Sequence, residues 1–288
     1  MGSALDAQAH YEWDIGQNPK ASLQKTIDAY LNALSSNPKH VYAHLNLGIA
    51  HAFGARCALV RGEDPGEEVR RAIDASRRAL ELQPDFYHAY DNLADVYAVR
   101  AEYELENEID PTATLRAGLA AAGQSRKINS TAAYSHSALG RLQTLEGRWS
   151  MTRGEDPVVA FEDALAAFDD STRLDPEAAA TYEGLAELHR WWAEWLFDTG
   201  ARPEEQLDLA LESVERSLSI NPGSASAMGL RGTVLLLAAQ RETASARRAE
   251  LLRRAEESLT EALGVNPNLT RSFEDPLAEV RSLRSEVS

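Results

Sequence analysis

Apolar and small residues recur along the chain three and four residues apart, the spacing of one face of an α-helix. The segment between Pro65 and Pro84 is typical, with such residues at positions 69, 72, 73, 76, 79 and 80. This pattern predicts an amphipathic helix. Asp64 can cap its start by accepting from free amides, Pro65 suits the first helical position, and Pro84 cannot continue it. Gly62 can take the left-handed conformation that ends the preceding helix.

Two punctuation marks frame this helix, Gly62–Pro65 before it and Pro84 after it, and both return with a period of 46 residues. The first mark stands at Pro19, Pro65, Pro111, Pro157 and Pro203. The second stands at Pro38, Pro84, Ser130, Pro176 and Pro222, followed by Pro267 after 45 residues. We call the second series the opening positions, because each begins a unit of two helices. A fixed period of this length indicates a helical repeat protein.

The repeat predicts one all-α array over residues 1–288. It begins with a partial unit at 3–37, which looks like the second half of a helix followed by a second helix, Lys20–Ser36. Five full units follow, and residues 267–288 form a C-terminal cap in which Phe273–Pro276 restarts a short helix, Leu277–Arg284. The full units are 38–83, 84–129, 130–175, 176–221 and 222–266.

Small residues occupy fixed columns of the first helices, which predicts close helix packing. Ten residues after the opening positions stand Gly48, Ala94, Gly140, Ala186 and Gly232. Seventeen residues after them stand Ala55, Ala101, Gly147, Ala193 and Ala239. Side chains this small let neighbouring helices approach, and the aliphatic residues between them fill the seam.

These columns resemble the tetratricopeptide repeat family. Tyr90–Ala94, Tyr97, Arg78–Pro84 and His44–Gly48 follow its pattern. The resemblance implies a right-handed superhelical solenoid of antiparallel helix pairs, with a concave groove that binds protein segments. The unit here is 46 residues long, against about 34 in the family. Long units with a Gly-Glu-Asp-Pro mark also resemble repeat arrays of bacterial serine/threonine protein kinases, although no kinase motif occurs in this chain.

The resemblance implies partner-binding residues on the first helices. The predicted groove residues are Tyr42, Leu45, Ile49, Asp91, Asp95, Arg141, Glu183, Glu187, Trp191 and Asp198. Arg141 is the one basic residue at the matching groove positions, which counts against capture of a C-terminal carboxylate and favours a basic partner. Trp191 is the candidate aromatic anchor.

Two columns of charge give a competing interpretation of the same groove. Eighteen residues after the opening positions stand Arg56, Glu102, Arg148 and Glu194, and eleven residues after them stand Ile49, Asp95, Arg141 and Glu187. The sign alternates from unit to unit. We therefore favour lateral ion pairs between neighbouring first helices over free charges that contact a partner, with Asp91, Glu183, Glu106 and Asp198 left for a basic partner.

Composition narrows the remaining function classes. The net charge of −16 disfavours nucleic acid, and Cys57 alone cannot form an internal disulfide or a thiolate cluster. His44 and His136 share one column and His51 and His189 another, too far apart along the array to ligate one metal, so we expect packing roles. The sequence predicts a cytoplasmic protein-interaction scaffold without catalytic residues, cofactor, metal or membrane span. Self-assembly through the open N-terminal end and a regulatory role within a larger bacterial signalling protein are the alternatives.

Overall fold

The computed structural model describes residues 2–287, with side chains for 4–286. Every regular element among them is helical. The helices are α1 Gly2–Asp14, α2 Lys20–Ser36, α3 Val41–Val60, α4 Gly66–Leu82, α5 Tyr87–Glu106, α6 Thr112–Ile128, α7 Ala133–Thr152, α8 Val158–Leu174, α9 Ala179–Asp198, α10 Glu204–Ile220, α11 Ala225–Arg241, α12 Ser245–Val265 and α13 Thr270–Val287, with a 3-10 turn at Pro267–Leu269. The expected all-α architecture of paired helices is confirmed.

The first punctuation mark acts as a helix stop followed by a helix start. Gly62 has φ of 76°, so it ends α3 in the left-handed conformation that favours glycine. The Asp64 carboxylate then accepts from the Gly66 amide at 2.8 Å. The carbonyl of Pro65 accepts from Val69 at 2.9 Å, which places this proline at the N-cap, one residue before the predicted position.

The extra length of the unit lies in the helices. The first helices α3, α5, α7 and α9 each have 20 residues, and the second helices α4, α6, α8 and α10 each have 17. The linkers between the two helices of a pair stay short, as expected for antiparallel neighbours. The 46-residue period therefore lengthens the helix pair.

The chain divides into two compact units. The first comprises residues up to 13 together with 17–174, and the second comprises residues 14–16 with 175 onward. The first unit contains the hairpins α3–α4, α5–α6 and α7–α8, and its first helices α3, α5 and α7 pack side by side. The second unit contains α9–α10, α11–α12 and α13. The prediction of one continuous array over residues 1–288 stays a prediction.

The cores of both units lie between the two helices of a pair and between neighbouring pairs. In the first unit Leu93, Leu115, Leu139 and Leu142 belong to one buried cluster. In the second unit Leu207, Val214 and Val234 form another. The small columns are buried as predicted, because Ala94, Ala101, Ala186, Ala193 and Ala239 are fully inaccessible to solvent.

The predicted bounds of the C-terminal helix are wrong. One helix runs from Thr270 to Val287 with Pro276 inside it, instead of a short helix restarting at Leu277. A proline within a helix removes one backbone hydrogen bond. Burial of Leu277 and Val280, together with packing of Phe273 against the same cluster, offsets that loss and holds the helix continuous.

Candidate partner-binding site

The candidate site is the face of the first helices that carries positions 7, 11, 14 and 18 after each opening position. We call it the first-helix face. These positions are three, four and seven residues apart, so on each helix they form one stripe. The small columns at positions 10 and 17 point instead towards the second helices, since Gly140 lies against the Phe168 ring and Gly147 against the Phe161 ring.

In the first unit, charges on the first-helix face pair between neighbouring helices. Arg56 Nη1 of α3 lies 3.2 Å from Glu102 Oε2 of α5. Arg141 Nη1 of α7 lies 3.2 Å from Asp95 Oδ1 of α5. Each pair joins residues 46 apart. The predicted lateral ion pairs are confirmed at these two places.

These pairs are partly withdrawn from water, which shifts the pKa of Asp95 and that of Arg56. Burial raises the pKa of Asp95, although Arg141 and Arg56 act against that rise. Burial likewise lowers the pKa of Arg56, and the nearby Arg141 lowers it further while Glu102 opposes both effects. The Tyr134 hydroxyl also donates to Asp95 Oδ2. The four charges form one neutral network across α3, α5 and α7.

On α9 of the second unit, the corresponding acids pair within their own helix. Arg190 Nη2 lies 2.9 Å from Glu187 and its Nη1 lies 3.2 Å from Glu194. The Arg190 guanidinium also stacks 4.0 Å from the centre of the Trp191 ring. One arginine thus contacts two carboxylates that remain 46% and 37% exposed, so both acids stay accessible at the surface.

Two acids predicted to await a basic partner are already bound inside the protein. Asp91 is 4% exposed and accepts from the Ser135 hydroxyl at 2.7 Å. Glu183 accepts from the hydroxyls of Ser224 at 2.8 Å and Ser217 at 3.2 Å. Burial raises the pKa of both carboxyls, and the serine hydrogen bonds partly counter that rise. These acids tie a helix pair to the next one, and so the prediction of free carboxylates at 91 and 183 is wrong.

The other predicted groove residues fall into three classes. Leu45 is 5% exposed and belongs to a buried cluster, against which Ile49 packs. Trp191 is half-buried beside Arg190. Tyr42 and Asp198 are exposed. The ten residues therefore include core residues as well as surface residues, because position 7 after the opening lies at the boundary between the first-helix face and the core.

The sequence interpretation named Tyr42 but missed two repeating columns. Exposed rings at Tyr42, His88 and Tyr134 occupy the position four residues after three successive openings. Buried serines at Ser125, Ser171 and Ser217 recur every 46 residues on the second helices. The fixed period was the signal for both.

The histidines in the two shared columns have structural partners. His51 Nδ1 lies 2.6 Å from Glu68, and His189 Nδ1 lies 2.7 Å from Gln206, so both join a first helix to its second helix. His44 and His136 contact the carbonyls of Pro38 and Ser130 at the opening positions, at 2.9 and 3.1 Å. Tyr182 makes the same contact with the Pro176 carbonyl at 3.3 Å.

Among the described residues, no group of three or more His, Cys, Asp or Glu side chains could hold a metal ion. None of the described helices is both long enough and apolar enough to cross a membrane.

Comparison with known proteins bears on the fold. No protein-family model matches the sequence, and no curated protein matches it. Among solved structures, the Thermus thermophilus protein TTC0263, described as a thermophilic TPR protein, is similar with a TM-score of 0.55 and 17% identity, covering 82% of this chain and 100% of its own.

A second similar structure is the human IFIT1 dimer with m7Gppp-AAAA. Its TM-score is 0.53 at 18% identity, covering 93% of this chain and 54% of IFIT1. At this level of identity the likeness concerns the fold. Together with the paired helices and their repeated contacts, these comparisons identify the architecture of the chain as the tetratricopeptide repeat fold.

Proposed function

We propose that this protein is a non-catalytic interaction scaffold that binds a segment of a partner protein on its first-helix face. The exposed acids of α9 carry the proposal. Glu187 pairs with Arg190 and still remains 46% exposed, and Asp198 lies exposed farther along the helix. A basic segment would complement these acids, and the Trp191 ring beside them offers an apolar contact area.

The absence of catalysis is part of the proposal. The rings of His51 and His189 join a first helix to its second helix, and those of His44 and His136 contact carbonyls at the opening positions. An acid–base catalyst needs a side chain within reach of a substrate proton, and these rings face carbonyls or neighbouring helices instead. The contacts of these four histidines therefore support a structural role for their rings.

A direct test is titration with a labelled peptide rich in lysine and arginine, followed by fluorescence anisotropy. We expect Glu187→Gln combined with Asp198→Asn to weaken binding several-fold, and we expect the affinity to fall as salt is raised, because the contacts are between exposed charges. Glu212→Gln combined with Asp208→Asn removes two exposed acids from the second helix α10 and is the matched control. Equal loss in the control, or no binding by the unaltered protein, would contradict the proposal.

Self-assembly is the alternative use of such a surface. Light scattering across a range of concentrations measures it directly, and a mass that stays at 31.6 kDa favours capture of a separate partner. A regulatory role attached to a larger bacterial signalling protein, in the cytoplasm, is a further proposal that rests on the resemblance of the long repeat unit.

A further inference from the structure

Three exposed rings stand at the same repeat position on the first helices of the first unit. Tyr42 of α3 is 58% exposed and Tyr134 of α7 is 56% exposed, and His88 of α5 is exposed between them in sequence register. We call Tyr42, His88 and Tyr134 the aromatic ridge. The equivalent residues in the second unit are Ala180 and Ser226, so the ridge spans three repeats.

The rings of the ridge rest on further aromatic side chains. Phe86 is buried, and its ring centre lies 5.1 Å from that of Tyr42 and 5.7 Å from that of His88. Tyr87 lies 3.9 Å from His88. The hydrogen bond from Tyr134 to Asp95 fixes the third ring to α5. Packing and hydrogen bonding within the protein therefore hold the ridge in place.

Beside the ridge two arginines pair with two acids, whereas on α9 one arginine pairs with two acids. Arg56 pairs with Glu102, Arg141 pairs with Asp95, and Asp91 is buried against Ser135. Although the chain has a net charge of −16, the paired charges beside the ridge give this part of the face no preference for a charged partner. An uncharged segment that packs against rings complements it better than a basic one.

The spacing of the ridge selects the conformation of that segment. Helices packed side by side have axes about 8–10 Å apart, and from this we infer that the three rings repeat at about that distance. Polyproline II has three residues per turn and a rise of about 3.1 Å per residue, which gives a repeat of about 9 Å. An extended strand presents equivalent side chains about every 6.6 Å, which matches the ring spacing less well.

We propose that the first unit binds a proline-rich segment in the polyproline II conformation, with one proline against each ring of the aromatic ridge and successive prolines one polyproline II turn apart. The proposal rests on the proposed function, in that the ridge borders the first-helix face. Proline-rich segments dock into aromatic-lined grooves because their conformation is formed before binding and little entropy is lost. Three rings at this spacing accommodate a core of about seven residues, from the first proline to the third.

The experiment compares two uncharged, end-blocked peptides of about 12 residues by isothermal titration calorimetry. One has proline at every third position, and the other has the same composition with the prolines gathered at one end. We expect the first peptide to bind and the second to bind at least several-fold more weakly. Tyr42→Ala and His88→Ala should each weaken binding of the first peptide about tenfold, as loss of an aromatic anchor does.

Two further variants separate the role of the ring from other effects. Tyr134→Phe keeps the ring, loses the hydrogen bond to Asp95, and should retain affinity within about threefold, since the ring supplies the contact area. Tyr11→Ala removes a ring that is 62% exposed outside the ridge and should leave binding unchanged. Thermal unfolding of each variant confirms that it is folded at the temperature of the titration.

Equal affinity for the two peptides, or equal effects of Tyr42→Ala and Tyr11→Ala, would overturn the inference. So would absence of binding by the regularly spaced peptide. If the basic peptide still binds through Glu187 and Asp198, the proposed function survives without the ridge. If neither kind of peptide binds, both proposals fail.

Discussion

At the scale of single residues, the size of one side chain is matched to another on the facing helix. A Cβ atom placed on Gly147 would come within 2.3 Å of the Phe161 ring, and one on Gly140 would come within 2.9 Å of the Phe168 ring. In the neighbouring hairpin the place of Gly147 and Phe161 is taken by Ala101 and Leu115. A larger residue on the second helix is therefore accommodated by a smaller one on the first.

This complementarity predicts strong coupling between the two positions. Gly147→Ala should destabilise by about 1–3 kcal/mol through overpacking, and Phe161→Leu by about 1 kcal/mol or more through the space it leaves. The double variant reproduces the pair found at Ala101 and Leu115, and should be more stable than the sum of the single changes predicts. Denaturant unfolding of the four proteins measures the coupling, and additive changes would contradict this packing account.

Glu108 occupies a position where the other repeats have glycine. Its φ is 58°, whereas Gly62, Gly154 and Gly200 lie at 69–77° in the equivalent places. A side chain in the left-handed region costs about 1–2 kcal/mol. We expect Glu108→Gly to stabilise and Gly154→Ala to destabilise, each by about 1 kcal/mol, because both positions have a positive φ that glycine adopts more readily. No atom lies within 4 Å of a Cβ added at Gly154, so packing does not contribute there.

The control for these turn variants is another glycine. Gly123 lies inside α6 with ordinary helical geometry and no neighbour within 4 Å of an added Cβ, so Gly123→Ala should stabilise by up to about 1 kcal/mol. Thermal unfolding then compares the same substitution in two backbone conformations. Stabilisation by both Gly154→Ala and Gly123→Ala would show that the turn carries no strain.

The buried acids predict a pH-dependent difference between variants. Burial raises the pKa of Asp91 and that of Glu183 above their ordinary values, so the folded state binds these protons more tightly than the unfolded state. Their contribution to stability therefore falls as pH rises from the unfolded pKa through the raised folded pKa, and it stays unfavourable at neutral pH. Asp91→Asn should raise the melting temperature at neutral pH, and the gain should shrink below about pH 4, where the unfolded carboxyl is protonated.

Asp208→Asn removes an exposed negative charge on α10 and controls for net charge. A gain from Asp91→Asn that persists unchanged at low pH would mean that the effect comes from packing and not from proton binding.

At the scale of the helix, periodicity accounts for most of what the sequence could predict. Lys20–Ser36 was predicted to the residue, because caps and prolines mark both its ends. The burial of the Asp91 carboxylate could not be predicted in the same way, because it depends on a hydrogen bond from Ser135 of the next repeat. The continuous helix through Pro276 also depended on tertiary burial, which outweighs a local breaking signal.

The lateral ion pairs also act at the scale of the helix. We expect them to contribute more to the register between neighbouring helices than to overall stability. A double-mutant cycle on Asp95 and Arg141, which are 18% and 31% exposed, should give a coupling of up to about 1 kcal/mol, as for partly exposed pairs. The coupling should decrease in high salt. A coupling of zero, with loss of partner binding in each single variant, would assign these residues to recognition instead of to the array.

At the scale of the whole molecule, the order of the repeats determines which charges lie side by side on neighbouring first helices. Removal of residues 84–129 deletes one full period and brings Arg56 into lateral register with Arg148. Two like charges then replace the pair formed with Glu102. We expect this deletion protein to be stabilised by Arg148→Glu, by up to about 1 kcal/mol. The same substitution in the full-length protein should not stabilise, and thermal unfolding of the four proteins checks both statements.

The alternation of charge between neighbouring repeats also restricts which changes in repeat number the protein tolerates. If one whole 46-residue unit is lost or duplicated, like charges come to lie side by side. Loss or duplication of two units restores the alternation. Copy number should therefore change more readily in steps of two, so that the heritable module is a pair of repeats even though the folding motif is a single one.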